Sequence, residues 1–323
     1  MKDPELRKVA ETIVEDLGEV TVDEEVLVLT DPELEGIGRA VSDASRETGA
    51  ETLLTVMKRL EVYGNEPPES VVEAMKAVDI VFNVLSTSLT HTDARRAAEE
   101  HGTRTFILRG VTIDTMLRGG INTDYEELTR RTTEIHEKLS SGSEAHVTSP
   151  NGTDISMNLE GRSGYVLDGS FGGGVRLTNG VPAGEAPVAP VEGTSEGQIV
   201  IDYSMDNIGR IDTPITLNIE SGYVQSVSGG DAADRLQEII ADADDEAGNL
   251  AEFAIGTNSD ARLTGILAED KKVEGTVHFA IGDNKSLGGN IASDIHLDGM
   301  VLEPTVEVDG ETIVQAGRLN VSY

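Results

Sequence analysis

The sequence predicts two domains of different class: an α/β domain over residues 1–143 and a β-rich α+β domain over residues 144–323. Two observations lead to this prediction. The first part of the chain alternates short apolar runs with amphipathic helical segments, whereas the second part contains many short segments of alternating polarity. A chain of 323 residues is also long enough to form two domains of ordinary size.

In the first domain, short runs rich in Val, Ile and Leu predict strands, and the segments between them predict helices. The runs are Val26–Thr30, Leu53–Met57, Ile80–Leu85 and Thr105–Leu108, and the helical segments are 33–48, 68–77, 91–101 and 124–139. Strands that alternate with helices imply right-handed crossovers and therefore a mainly parallel, doubly wound sheet. Gly36-Ile-Gly38 is too short for a dinucleotide-binding fingerprint.

In the second domain, the strongest local pattern is Asn151-Gly152 between two alternating segments, which predicts a β-hairpin. Further strands are expected at 198–204, 213–219, 222–227, 273–281 and 299–317, with one long helix from Ala232 to about Ala247. This domain is therefore expected to be mainly antiparallel sheet.

The charge balance is strongly acidic, with 59 acidic against 25 basic residues and a net charge of −34. The excess is spread along the chain, as in proteins that stay soluble in concentrated salt, so a halophilic host is expected. Nucleic acid is not expected as a partner because no basic surface is available for phosphates. The chain has no Cys and no apolar run long enough to span a bilayer, so a cytoplasmic protein without a membrane partner is expected.

The segment from Gly275 to Asp298 contains the residues best suited to hold a metal ion. Residues i and i+2 of a strand share a face, so His296 and Asp298 are expected to point to one place. Gly288-Gly289 can turn the strand that begins near His278 back against the strand of His296. Two imidazoles and a carboxylate suit a zinc-, cobalt- or iron-class cation, although ordinary strand histidines would give the same pattern.

Two glutamates elsewhere could complete such a site. Glu185 lies in a segment punctuated by Pro and Gly, and Glu252 is an isolated acid in the apolar stretch Leu250-Ala-Glu-Phe-Ala-Ile. A buried acid must be paired or bind a cation to offset its desolvation. The alternative is that both glutamates face solvent, as most acidic residues of this chain must.

Taken in order, four motifs resemble those of the thermophilic aminopeptidases, the aminopeptidase T and S type, and in particular the shorter leucyl-aminopeptidase-like chains. The motifs are Pro-x-Gly-Glu185, Ala-Glu252-Phe-x-Ile-Gly, Gly-Thr-Val-His278-x-Ala-x-Gly and His296-x-Asp298. The resemblance covers mainly residues 145–323, and the preceding α/β part is compatible with it in order and length.

The resemblance implies that Glu185, Glu252, His278, His296 and Asp298 hold two divalent ions of the zinc, cobalt or manganese class. It further implies a metallo-aminopeptidase that hydrolyses short peptides, with Glu185 or Glu252 as the catalytic carboxylate, and a homodimer. Lys285 stands where the longer peptidases have a Tyr, and an ammonium could stabilise the tetrahedral intermediate in its place. Glu269 and Asp270 are candidates for a supporting or base carboxylate.

Two other functions are compatible with the same residues. His278, His296 and Asp298 alone could hold one Fe(II), and a related branch of the superfamily resembles the ring-cleaving 2,5-dihydroxypyridine dioxygenases. The chain could also bind metal without turnover, which the Lys285 substitution allows.

Overall fold

The computed structural model describes residues 4–60, 65–90, 92–171 and 177–321. The strands are β1 Glu25–Thr30, β2 Glu51–Val56, β3 Ile80–Val84, β4 Arg104–Leu108, β5 Glu144–Thr148, β6 Asp154–Asn158, β7 Thr178–Val181, β8 Glu185–Val188, β9 Glu196–Ile201, β10 Ser204–Met205, β11 Gly209–Arg210, β12 Ile215–Glu220, β13 Tyr223–Ser228, β14 Leu250–Gly256, β15 Val277–Gly282, β16 His296–Val301, β17 Thr305–Val308, β18 Glu311–Gln315 and β19 Arg318–Leu319. The helices are α1 Pro4–Glu11, which continues as a π-helical segment over Thr12–Leu17, then α2 Glu35–Glu47, α3 Glu69–Lys76, α4 Asp93–Glu100, α5 Ile113–Arg118, α6 Tyr125–Ser141, α7 Gly230–Asp242 and α8 Leu267–Asp270.

The chain forms two compact units. The first unit comprises Met1–Asn122 with Gly169–Ala183, and the second comprises Thr123–Asp168 with Gly184–Tyr323. This division differs from a single boundary at residue 143, because α6 packs against β8 in the second unit and β7 pairs with β4 in the first.

The first unit contains a five-stranded parallel sheet in the order β2-β1-β3-β4-β7. Strands β1 and β3 are almost entirely buried, which explains why their sequences are continuous apolar runs rather than alternating ones. Helix α4 begins at Asp93, within the helical segment predicted over 91–101, because the Thr92 hydroxyl caps it by accepting a hydrogen bond from the Arg95 amide at 3.3 Å. The predicted α/β class is confirmed.

The second unit contains two largely antiparallel sheets, which confirms the predicted β-rich class. The eight-stranded sheet has the order β13-β12-β9-β6-β5-β17-β18-β19, and the six-stranded sheet has the order β11-β10-β16-β15-β14-β8. The Asn151-Gly152 hairpin joins β5 to β6 as predicted. Apolar side chains from both sheets, among them Ile155, Ile199, Phe253 and Phe279, form one core.

No helix within the described ranges has the length and apolar character needed to cross a membrane.

Candidate metal centre

The five predicted metal ligands lie on four neighbouring strands of the six-stranded sheet. Glu185 begins β8, Glu252 lies in β14, His278 lies in β15, and His296 and Asp298 lie in β16. The register places Ala280 opposite both Glu252 and Asp298. The two carboxylates therefore flank a residue whose side chain is only a methyl group.

Alternation along these strands separates the site from the core. Phe253 and Phe279 are paired neighbours whose rings stack with centroids 5.5 Å apart, and both belong to the core of the second unit. Glu252 and His278, each one residue away, point to the opposite face. Both faces of β14 and β15 are buried, which is why Glu252 stands in an otherwise apolar sequence.

Gly256 brings the segment after α8 close to Glu185. It is the register partner of Glu185, and a Cβ at this position would lie 2.2 Å from the Val273 carbonyl oxygen. A larger residue would push the 272–273 backbone away from β14. The close approach places Lys272 beside the Glu185 carboxylate.

Three donor atoms converge at one end of the cluster. His296 Nε2 lies 3.1 Å from Glu252 Oε2 and 3.4 Å from Asp298 Oδ1. Donor atoms of these three residues all lie within 4.8 Å of one another, and they form the one such group found within the described ranges. The predicted meeting of His296 and Asp298 on one face is confirmed by this distance.

His278 does not belong to that group, although it touches it. The side chain is fully buried, and its Nε2 lies 3.1 Å from Glu252 Oε1 and 3.4 Å from Glu185 Oε2. Of the three residues predicted for a single iron, His296 and Asp298 belong to the converging group, and His278 lies directly beside it. His278 instead forms a hydrogen bond with Glu252 Oε1, the carboxylate oxygen that does not face His296.

At the other end of the cluster lie two buried lysines that sequence reasoning missed. Lys271 Nζ lies 2.7 Å from Asp298 Oδ2 and 3.7 Å from Glu185 Oε2, and Lys272 Nζ contacts Glu185 Oε1. These lysines are only 5% and 6% exposed. One feature of the sequence could have pointed to them, because Lys271-Lys272 is the one place in this lysine-poor chain where two lysines are adjacent.

The electrostatics favour ionised carboxylates. Burial raises the pKa of Asp298, but the Lys271 ammonium and His296 outweigh burial and hold this pKa well below its usual range. Burial likewise opposes ionisation of Glu185, whose pKa is nevertheless lowered by Lys271 and Lys272. Burial lowers the pKa of His296, but Asp298 and Glu252 raise it well above its ordinary value. The converging end of the cluster thus attracts positive charge.

The other predicted catalytic groups lie elsewhere. Lys285 is exposed, in a 3₁₀ turn over Lys285–Leu287. Asp270 accepts hydrogen bonds from the Thr264 and Gly265 amides and from Ser204 Oγ, and Glu269 accepts one from the Arg262 amide. These two carboxylates therefore fix the loop around α8, the helix that immediately precedes the two lysines.

The arrangement fits a divalent cation. His296 Nδ1 lies 2.7 Å from the Asp283 carbonyl oxygen, which can only accept, so Nδ1 carries a proton and the lone pair of a neutral ring is on Nε2. That lone pair faces two carboxylates, an unfavourable contact unless a proton or a cation lies among them. Bonds of about 2.1 Å at right angles would place neighbouring donors about 3 Å apart, close to the distances found here.

The profile of one protein family, NicX: 2,5-dihydroxypyridine 5,6-dioxygenase, matches residues 11–321. The chain belongs to the NicX family. A curated relative, the 2,5-dihydroxypyridine 5,6-dioxygenase of Pseudomonas putida, is 25% identical over 262 residues, which are 76% of this chain and 71% of the relative.

Two solved structures share the fold. The 2,5-dihydroxypyridine dioxygenase from Pseudomonas putida has a TM-score of 0.78 at 20% identity, over 98% of this chain and 97% of that one. AmpT from Thermus thermophilus has a TM-score of 0.69 at 19% identity, over 98% and 99%. The predicted likeness to the aminopeptidases is therefore correct for the fold.

The predicted activity, however, is wrong. The NicX match covers nearly the whole chain and places it among dioxygenases, not among hydrolases that cleave peptides. The peptidase motifs misled because structures named for both enzyme classes share this fold, and a fold does not determine the reaction.

Proposed function

We propose that this protein is a ring-cleaving dioxygenase that uses one Fe(II), held by Glu252, His296 and Asp298, to open a hydroxylated pyridine. The substrate class is that named for the Pseudomonas putida relative. The observation that carries the proposal is the convergence of Glu252 Oε2, His296 Nε2 and Asp298 Oδ1 in a chain of the NicX family. Imidazole and carboxylate ligands that leave positions open suit ferrous iron.

Each of the three ligands is oriented by a neighbour. His278 Nε2 contacts Glu252 Oε1, Lys271 contacts Asp298 Oδ2, and the Asp283 carbonyl accepts the Nδ1 proton of His296. Each of these contacts leaves the converging atom of the ligand available for the metal. Outer contacts of this kind fix the tautomer and geometry of metal ligands.

A ferrous ion at this place would supply the one-electron chemistry that lets O₂ react with a closed-shell aromatic ring. In the overall reaction, one ring C–C bond breaks and both atoms of O₂ enter the product. The ring carbons supply the electrons that reduce O₂, so no other reductant is needed. The chain's own contribution is to bind the ion through buried, ionised carboxylates and to hold a proton on Nδ1 of His296, so that Nε2 faces the ion.

The test is oxygen uptake by Fe(II)-loaded protein. The protein would be loaded anaerobically in concentrated KCl, because its charge of −34 calls for screening. After mixing with 2,5-dihydroxypyridine and O₂, we expect equimolar loss of substrate and O₂, and with ¹⁸O₂ both labelled atoms in the ring-opened product.

The chain offers a matched control for the central ligand. His146 and Asp154 form a second His–Asp contact, at 2.8 Å, on the surface of the same unit. We expect His296→Ala to abolish turnover and His146→Ala to leave it unchanged. The proposal is wrong if the Fe(II)-loaded wild type consumes no O₂ with dihydroxypyridines, or if His296→Ala turns over like the wild type.

A further inference from the structure

Three carboxylates share the buried cluster of the candidate metal centre. Glu185, Glu252 and Asp298 are each less than 5% exposed. Burying a carboxylate is costly unless a cation and hydrogen bonds replace the lost water. The cluster therefore needs positive charge along its whole length, not only where the three metal-ligand candidates converge.

The lysines supply that charge at the Glu185 end. Lys271 Nζ bridges Asp298 Oδ2 and Glu185 Oε2, and Lys272 Nζ contacts Glu185 Oε1. Both oxygens of Glu185 thus face an ammonium group. A divalent cation bound to Glu185 would have to share the two carboxylate oxygens with these two ammonium groups.

The charge balance leads to the same conclusion. The three carboxylates carry three negative charges, and the two lysines neutralise two of them. One divalent ion then leaves a single positive charge, whereas a second ion would leave three in a site shielded from water. Like charges this close in a buried site repel strongly.

Ligand atoms for a second ion are nevertheless present. His278 Nε2 lies 3.4 Å from Glu185 Oε2 and 3.1 Å from Glu252 Oε1, so a nitrogen and two carboxylate oxygens border this place. We propose that Lys271 and Lys272 together take the place of a second divalent ion and thereby restrict this five-residue cluster to one metal. The two lysines are positioning residues: they set the metal count and orient Asp298.

This inference rests on the proposed function only for the identity of the bound metal as iron, and its test uses Mn(II) instead. Equilibrium dialysis in concentrated KCl would count Mn(II) ions per chain in the wild type and in the Lys271→Gln/Lys272→Gln double variant. Electron paramagnetic resonance would then distinguish isolated Mn(II) ions from a spin-coupled pair, a readout that a purely structural role of the lysines would not change.

We expect one ion per chain and an isolated-ion spectrum for the wild type. The double variant should take up two ions with a coupled spectrum, because Glu185, His278 and Glu252 are then released to bind the second. Lys271→Arg keeps the positive charge and should bind one ion. Lys138→Gln, which removes a surface lysine paired with Glu311, should also bind one.

Two ions in the wild type would overturn the inference whatever the variants do. A double variant that is folded by circular dichroism and still binds one ion would also overturn it. If the double variant does not fold, Lys272→Gln alone carries the test, because it frees one Glu185 oxygen and should admit a weaker second ion. If the wild type binds one Mn(II) ion and the double variant binds two, but the Fe(II)-loaded protein does not cleave the ring, the proposed function is refuted and the inference about the lysines is supported.

Discussion

The two ends of the carboxylate cluster face different groups of positive or potentially positive charge. At one end Glu252 and Asp298 face the imidazole of His296, and at the other end Glu185 faces the ammonium groups of Lys271 and Lys272. The acidic residues are alike in type and burial, but only the first end leaves a place for an exchangeable ion. A set of ligand residues therefore does not fix the number of metals; the fixed cations around it do.

The largest loss of metal affinity is expected from Asp298→Asn. The change keeps the shape of the side chain but removes the charge of a direct ligand, and it leaves Lys271 facing a neutral amide at Oδ2. We expect Mn(II) affinity to fall by more than the roughly 10–100-fold that an outer partner contributes. Isothermal titration calorimetry measures the Mn(II) affinity, and Asp154→Asn is the matched change at the surface. A folded Asp298→Asn protein that binds Mn(II) as tightly as the wild type would contradict the assignment.

A smaller loss is expected from His278→Ala, because His278 orients Glu252 rather than converging with the other donors. Mn(II) affinity should fall by about 10–100-fold. His278→Gln, which can keep a hydrogen bond to Glu252, should recover part of it. A loss as large as that of Asp298→Asn would show instead that His278 is a direct ligand, as the sequence predicted.

Glu185→Gln should affect stability more than metal binding. It leaves the buried ammonium group of Lys272 without its carboxylate partner, whereas Lys271 keeps Asp298. Breaking a buried ion pair typically costs about 3–5 kcal/mol. We expect the urea midpoint to fall well below that of the wild type, while the folded protein still binds one Mn(II). If Glu185→Gln instead abolished Mn(II) binding, the metal would lie at the Glu185 end of the cluster, and the assignment to Glu252, His296 and Asp298 would be wrong.

The smallest effect concerns a carboxylate outside the cluster. Burial raises the pKa of Glu192, but hydrogen bonds from the Asn290 amide and Asn284 outweigh burial and lower this pKa to about 2, from an ordinary 4.5. The folded-state value is the lower one, so Glu192 contributes stability above pH 4.5 that is lost as the pH falls toward 2. Urea midpoints at several pH values should show a difference between wild type and Glu192→Gln that shrinks on acidification, and a constant difference would contradict this.

Much of the fold could be predicted because it follows from local periodicity. Apolar runs separated by helices gave the parallel sheet, and Asn151-Gly152 gave the β5–β6 hairpin. Helix ends were less certain: α7 is Gly230–Asp242, whereas the pattern indicated Ala232 to about Ala247. Helix ends depend on backbone hydrogen bonds that neighbouring segments can supply, and the sequence does not reveal these.

The site could be predicted only in part, for a physical reason. The approach of His296 and Asp298 follows from the two-residue period of a strand. The position of Glu252 beside His296 depends on strand register, and the position of Lys272 beside Glu185 depends on a close approach at Gly256. Neither is a local property of the sequence. The expected homodimer stays a prediction.

The single-metal centre is tested most directly by anomalous diffraction from crystals of the wild-type protein grown with Mn(II). We expect one anomalous peak, within bonding distance of Glu252, His296 and Asp298, with Lys271 and Lys272 still in contact with Glu185. A second peak between Glu185 and His278, or a single peak there, would contradict it.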